Sequence, residues 1–152
     1  VEPRLYSGGM AVPCIVIEND MQNTLSEEVA SKGDLAGLSP EDLKNIIKEA
    51  GIVGMGGAAF PTHVKLAPPP DKNVDTVILN GAECEPYLTS DHRLMLEHPE
   101  DVVFGLQVFM KVLGVKKGYI GIETNKPDAI EKVFEAARGI EDIDSAQLGK
   151  RC

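Results

Sequence analysis

The sequence is short of several things that whole classes of protein need. Its 152 residues include only three cysteines, Cys14, Cys84 and Cys152, an odd number, far apart and without a C-x-x-C spacing. That argues against a disulfide framework and against an iron–sulfur or zinc site, and it fits a reducing, intracellular setting. No apolar run reaches the ~20 residues that a membrane-spanning helix requires, and the opening residues lack the pattern of a secretory leader. Basic residues are scarce, 15 Lys and Arg against 24 Asp and Glu, for a net charge of −9. Nucleic acid is bound largely through Lys and Arg, so the deficit argues against it, and equally against an anionic bilayer. The acidity by itself reads as solubility. Neither an internal repeat nor a low-complexity tract is present.

What remains is ordinary globular material. Hydrophobic residues make up 43% and charged residues 26%, and the length suits one domain with a real core. The run "VPCIVIEND" (Val12–Asp20) reads as a strand. Residues 21–38 are polar and rich in small residues, as a linker would be. "SPEDLKNIIKEAG" predicts a helix, with Ser39 as cap, Pro40 in the first turn and Glu41 and Asp42 at the positive end of the dipole. Leu43, Ile46, Ile47 and Ala50 form its apolar face, and Gly51 supplies the stop. "APPPDKNV" is an exposed connection, because three prolines remove three donors. "DTVILNG" (Asp75–Gly81) and "KKGYIGIE" read as short buried strands of the parallel kind. Helices are predicted in "LTSDHRLMLEHPE", in "PEDVVFGLQVFMKVLG" and in "KPDAIEKVFEAARG". In the last of these Ile130, Val133, Phe134 and Ala137 are expected to face inward. Helix and strand alternate from residue 39 onward, so the expected class is α/β with a largely parallel sheet.

Two segments carry chemistry. The first is the glycine-rich stretch "GIVGMGGAAFPTHVK". Gly54-Met55-Gly56-Gly57-Ala58-Ala59 satisfies G-x-G-x-x-A, but a dinucleotide fingerprint needs a strand before the loop and a full helix after it. Here a helix precedes, and Pro61 with the Pro68–Pro70 run leaves room for only one or two helical turns. The usual Rossmann reading therefore fails on context. Successive glycines can still aim several N–H groups into one concavity and leave space for a flat ring, with Lys65 as a supplementary cation. The plain alternative is a flexible connector. Phe60, Pro61 and the alanines argue against it, since mobile linkers are richer in Ser, Lys or Glu.

The second segment is "NGAECEPYLTSDH", directly after the first buried strand. Ligands of open α/β sheets bind outside the carboxyl ends of the strands, which is where Asn80, Glu83 and Glu85 fall. Asn offers a donor and an acceptor to a heterocycle, and carboxylates accept from sugar hydroxyls. A solvated acidic turn accounts for the same residues equally well. His63 has no Ser or Cys nucleophile placed to use it, and two flanking glutamates disfavour a thiolate at Cys84.

Taken in order, "GIVGMGGAAFPTHVKL", "ILNGAECEPYLTSDHRLMLEHPEDVVFGL" and "GYIGIE" resemble the flavin- and NADH-binding family of respiratory complex I, and within it the C subunits of Rnf electron transport complexes. The resemblance covers about Ser39 to Arg138, and the first twenty residues look like the strand-rich tail that precedes this domain in Rnf C subunits. It implies a Rossmann-like α/β/α fold binding FMN and NAD(H). Gly54, Gly56, Gly57 and Ala58 would cradle the flavin, Lys65 would meet its phosphate or ribityl side, and Asn80 and Glu83 would bind the cofactor. Phe60 and Glu85 would help admit the nicotinamide nucleotide, and the flavin rather than a side chain would do the chemistry. Met55, Ala59 and Ala82 depart from the Arg, Gly and Asp of many complex I sequences.

The resulting expectation is an N-terminal part of the flavin domain (39–152), preceded by a linker (21–38) and by the end of an upstream strand-rich module (1–20). The parent subunit would be a NAD-linked oxidoreductase at the cytoplasmic face of the cell membrane. It would be held there by the other subunits of its complex and would exchange electrons with ferredoxin-type carriers. The 4Fe-4S clusters are expected beyond this stretch, and the stretch alone is expected to be inactive. The rival expectations are a docking module of such a complex that has lost flavin, or a related soluble flavin reductase subunit.

Overall fold

The computed structural model describes residues 1–5, 8–26, 29–56, 58–140 and the backbone of 143–148. It divides into two units, Val1–Lys32 and Gly33–Cys152. In the first, β1 (Glu2–Leu5) pairs antiparallel with β2 (Ala11–Cys14). The strand expected over Val12–Asp20 is thus shorter and begins one residue earlier. Beyond Cys14 the backbone finds no ladder partner among the described residues. The Asn19 and Asp20 side chains instead accept from the N–H groups of Met21 and Gln22, two residues on, a local bond that competes with strand pairing.

The second unit opens with a 3-10 turn, Leu35–Gly37, and α1 (Pro40–Glu49). The helix starts where the sequence says it should. The Asp42 N–H donates to the Ser39 hydroxyl at 3.1 Å and the Ser39 N–H donates to the Asp42 carboxylate at 3.0 Å, a reciprocal capping box. Leu43 and Ile47 are buried, and Gly51 takes the left-handed φ of 66° that ends the helix. Then follow α2 (Thr62–Lys65), β3 (Thr76–Gly81), α3 (Ser90–Glu97), α4 (Pro99–Leu113), β4 (Lys117–Glu123), α5 (Pro127–Ala137) and β5 (Ile143–Leu148).

The sheet runs β3-β4-β5, parallel throughout, with Val77 opposite Gly118 and Ile122 opposite Gly81. This is the α/β architecture with a parallel sheet that the alternation of elements predicts. The core lies between one face of the sheet and α3, α4 and α5: Val77, Ile120 and Ile122 pack with Met95, Val103, Leu106, Met110, Ala129, Val133 and Ala137. α5 turns a stripe of i, i+4, i+8 residues inward (Ala129, Val133, Ala137). That leaves Phe134, one residue off the stripe, 53% exposed rather than facing the core as expected. β5, with little β-branched content, gave no strand signal. No described helix is long and apolar enough to cross a membrane.

Gly118 is where the core is tightest. A Cβ there would stand 2.5 Å from Met110 Sδ and 3.0 Å from Leu106 Cδ2, so α4 lies directly on the strand. Gly118→Ala should cost about 1–3 kcal/mol by overpacking, read as a lower midpoint in urea unfolding of the full-length chain. Loss of less than about 0.5 kcal/mol, the range of an ordinary surface change, would contradict this packing.

Candidate functional site

The glycine stretch is pinned at its stem. The Ile52 N–H donates to the Ile47 carbonyl at 3.2 Å, the Thr62 N–H donates to Ile52 O at 3.1 Å, and Val53 and Pro61 form an antiparallel bridge. The Gly54 N–H donates to Phe60 O at 2.9 Å and closes the loop between them. Within the loop Ala59 adopts a φ of 52°, uncommon for a residue with a side chain. Met55 at the tip is 96% exposed, Ala58 and Phe60 are also exposed, and nothing stands within 4 Å of where a Gly56 Cβ would be. Lys65, at the end of α2, folds back so that its Nζ stands 2.9 Å from the Gly54 Cβ position. None of the ion pairs among the described residues uses that ammonium. Gly57 lies outside the described residues.

The acidic turn is organised differently. Asn80, exposed at the end of β3, accepts from the Ala82 N–H through Oδ1 at 3.1 Å, which leaves its NH2 group to donate. The Glu83 carboxylate, with only 4% of its side chain exposed, turns inward onto the start of α3. It accepts from the Asp91 N–H at 2.8 Å, the His92 N–H at 3.4 Å and the Ser90 hydroxyl at 3.3 Å. Thr89, the residue in the cap position, makes no such bond, so Glu83 caps the helix from outside it. Lys126 Nζ stands 3.8 Å from Glu83 and 2.9 Å from Glu123. Burial pushes the Glu83 carboxyl up, but the two α3 N–H groups, the Lys126 charge and the Ser90 hydroxyl outweigh it and hold it below the usual glutamate value. Next to this group His92 Nε2 meets Asp128 at 3.0 Å. That hydrogen bond, with the Ala129 N–H, holds the Asp128 carboxyl low.

Gly54, Phe60 and Lys65 therefore come together, while Glu83 joins Lys126, Glu123 and the α3 N-terminus. No hydrogen bond or ion pair among the described residues links the glycine loop to the acidic turn. Glu85 and Cys84 are exposed beside Tyr87, whose φ is 64°. Sequence reasoning missed Lys126 and Glu123. Their signal was positional, since β4 also ends here and its carboxyl end borders the same site.

The family model described as "Nuo51 FMN-binding domain" (Complex1_51K) matches residues 47–150, a span that contains both loops. The chain belongs to this family. Among curated relatives it is 53% identical over 136 residues to the C subunit of the Na(+)-translocating ferredoxin:NAD(+) oxidoreductase complex of Acetobacterium woodii, covering 90% of this chain and 31% of the relative. It is 57% identical over 125 residues to the proton-translocating counterpart of Clostridium ljungdahlii (82% and 27%). With the C subunit of the ion-translocating oxidoreductase complex of Rhodobacter capsulatus it shares 40% over 135 residues (89% and 26%). These relatives are Rnf complex C subunits, and the chain spans about a third of their length or less. Two solved structures share the fold, the NAD+-reducing [NiFe]-hydrogenase in its air-oxidized and H2-reduced states. Their TM-scores are 0.53 and 0.56 at 23% and 21% identity, covering 72% of this chain and 20% and 21% of theirs.

The Glu83 capping of α3 has a pH signature. Its folded pKa lies below the unfolded value of 4.5, so its stabilisation is present above that value and is lost as pH falls through the folded pKa. Unfolding curves from about pH 3 to 6 should therefore show a shallower acid loss of stability in Glu83→Gln than in the parent. Identical acid slopes would show that the carboxylate is not so held.

Proposed function

We propose that this chain is the flavin-binding part of a subunit that passes electrons between NAD(H) and iron–sulfur carriers of the ferredoxin type. The subunit would work within a membrane complex whose other subunits hold it at the cytoplasmic face. The observation that carries the reading is the unpaired Lys65 ammonium over the pinned, bare-backbone loop, inside the segment that matches the FMN-binding family. The names of the relatives supply NAD and ferredoxin as the couple.

The donor set suits FMN. Gly54, Gly56, Gly57 and Ala58 carry little side-chain bulk: at Gly54 the room is taken by the Lys65 ammonium, and the side open at Gly56 is the face presented to a planar ring. Lys65 supplies a charge for a phosphate, and Asn80 supplies an amide donor at the strand end. Glu83 serves the site through the turn it anchors, holding the backbone that follows Asn80. Phe60, half exposed at the loop stem, and Glu85, exposed in the acidic turn, line the approach for the nicotinamide nucleotide. Bound FMN would supply the conversion between two-electron hydride exchange and single-electron transfer.

A second reading is favoured by one observation. The Glu83 carboxylate is already filled by protein donors, as it would be in a docking module that keeps the fold without flavin. Titration decides between them. The full-length chain should quench and shift the spectrum of FMN at micromolar concentration, and NADH should bleach it. Lys65→Ala should weaken FMN about ten-fold, near 1.4 kcal/mol and close to the lower end of the range for a charge-assisted bond. A chain that stays colourless in excess FMN, with complex assembly intact, leaves the docking reading.

A further inference from the structure

Gly54 has no backbone reason to be glycine. Its φ lies outside the left-handed region, unlike that of Gly51 at the end of α1. The bond it makes, N–H to Phe60 O, is open to any residue except proline. What a side chain at this position would meet is the Lys65 ammonium. The Cβ position lies 2.9 Å from Lys65 Nζ, and then 3.7 Å and 3.9 Å from the Phe60 carbonyl oxygen and nitrogen. Real Cβ atoms essentially never approach a heavy atom within 3.0 Å, so one of the two groups must yield. The stem backbone is held by its ladder, and the ammonium ends a flexible, exposed side chain. The ammonium moves.

The geometry points to Gly54 as a positioning residue: its missing side chain is the space that the Lys65 ammonium occupies, and this fixes the charge at the loop where the phosphate of FMN binds. The inference rests on the flavin reading above and adds a role for one glycine that differs from its neighbour's. At Gly56 a Cβ would meet nothing within 4 Å among the described residues, so that side is open to a ligand. At Gly54 the space is already used by the protein. The hydrogen bond to a phosphate weakens once the N···O contact lengthens past about 3.2 Å, while the Coulombic attraction declines only slowly with distance. A Cβ at residue 54 makes the ammonium give way by about half an ångström or more from the 2.9 Å it now keeps, which weakens its hydrogen bond to the phosphate while leaving ring contacts in place.

The test compares FMN with riboflavin, which lacks the phosphate, on the full-length chain. Affinities are measured for the parent, Gly54→Ala, Lys65→Met and the double variant. The parent should prefer FMN, and Gly54→Ala should lower that preference in the same direction as Lys65→Met, by less than the roughly ten-fold loss expected from deleting the charge. The double variant should be no worse than Lys65→Met alone, because both changes remove one interaction. Equal weakening of both ligands by Gly54→Ala, or additive losses in the double variant, would overturn the proposal and assign Gly54 to ring approach. A crystal structure of Gly54→Ala reads the steric claim without any flavin. Lys65 Nζ should leave its place over residue 54, and an unmoved ammonium sinks the inference even if FMN binds. Should the parent bind neither flavin, the flavin reading fails, and the phosphate role of Gly54 with it.

Discussion

One carboxylate ties together the carboxyl end of the sheet. Glu83 follows the last residue of β3 by two positions, yet its oxygens end on the first turn of α3 and beside the Lys126 ammonium at the start of α5. The turn after β3, the first turn of α3 and the start of α5 are thus tied at one point. Placing a carboxylate out of water is costly, and the cost is offset here by N–H donors at a helix N-terminus, a hydroxyl and a cation. Removing any one partner leaves the rest of the charge poorly compensated. The gain is geometric as well as energetic, since the turn that begins at Asn80 is anchored to α3 and to the start of α5.

The glycine loop is built on the opposite plan. Its stem is closed by backbone bonds to residues on either side of it, and its tip presents almost no side chains except Met55. Main-chain donors set in such a loop can meet an anion or a flat ring without first giving up packing. The acidic turn contributes fixed direction and the glycine loop contributes access. Their different constructions explain why one region hides its charge while the other leaves a charge unpaired.

Much of this was legible in the residues. The capping residues of α1 gave its start, and Gly51 and Gly114 gave the ends of two helices through their left-handed conformations. These signals are local, which is why they read correctly. The expectation for Phe134 failed because two stripes on α5 are both plausible by periodicity, and the buried one runs through Ala129, Val133 and Ala137. β5 left almost no trace in its composition, since its place is set by pairing with β4. At the site the loops and their residues could be named, but not the direction in which Glu83 turns. That depends on the first turn of α3 and on Lys126, forty-three positions away, and no pattern within the turn encodes it.

Two glycines facing helices bear on how such a site can move. At the start of β4 the chain leaves no gap beneath α4. At the end of β3 a Cβ on Gly81 would come within 3.2 Å of Met95 on α3 and 3.0 Å of the Gly121 carbonyl. The helical layer therefore has no slack against the strands, and sliding or tilting it would drive atoms into contact at both points. This close packing assigns motion at this end of the sheet to the connecting loops rather than to α3 and α4.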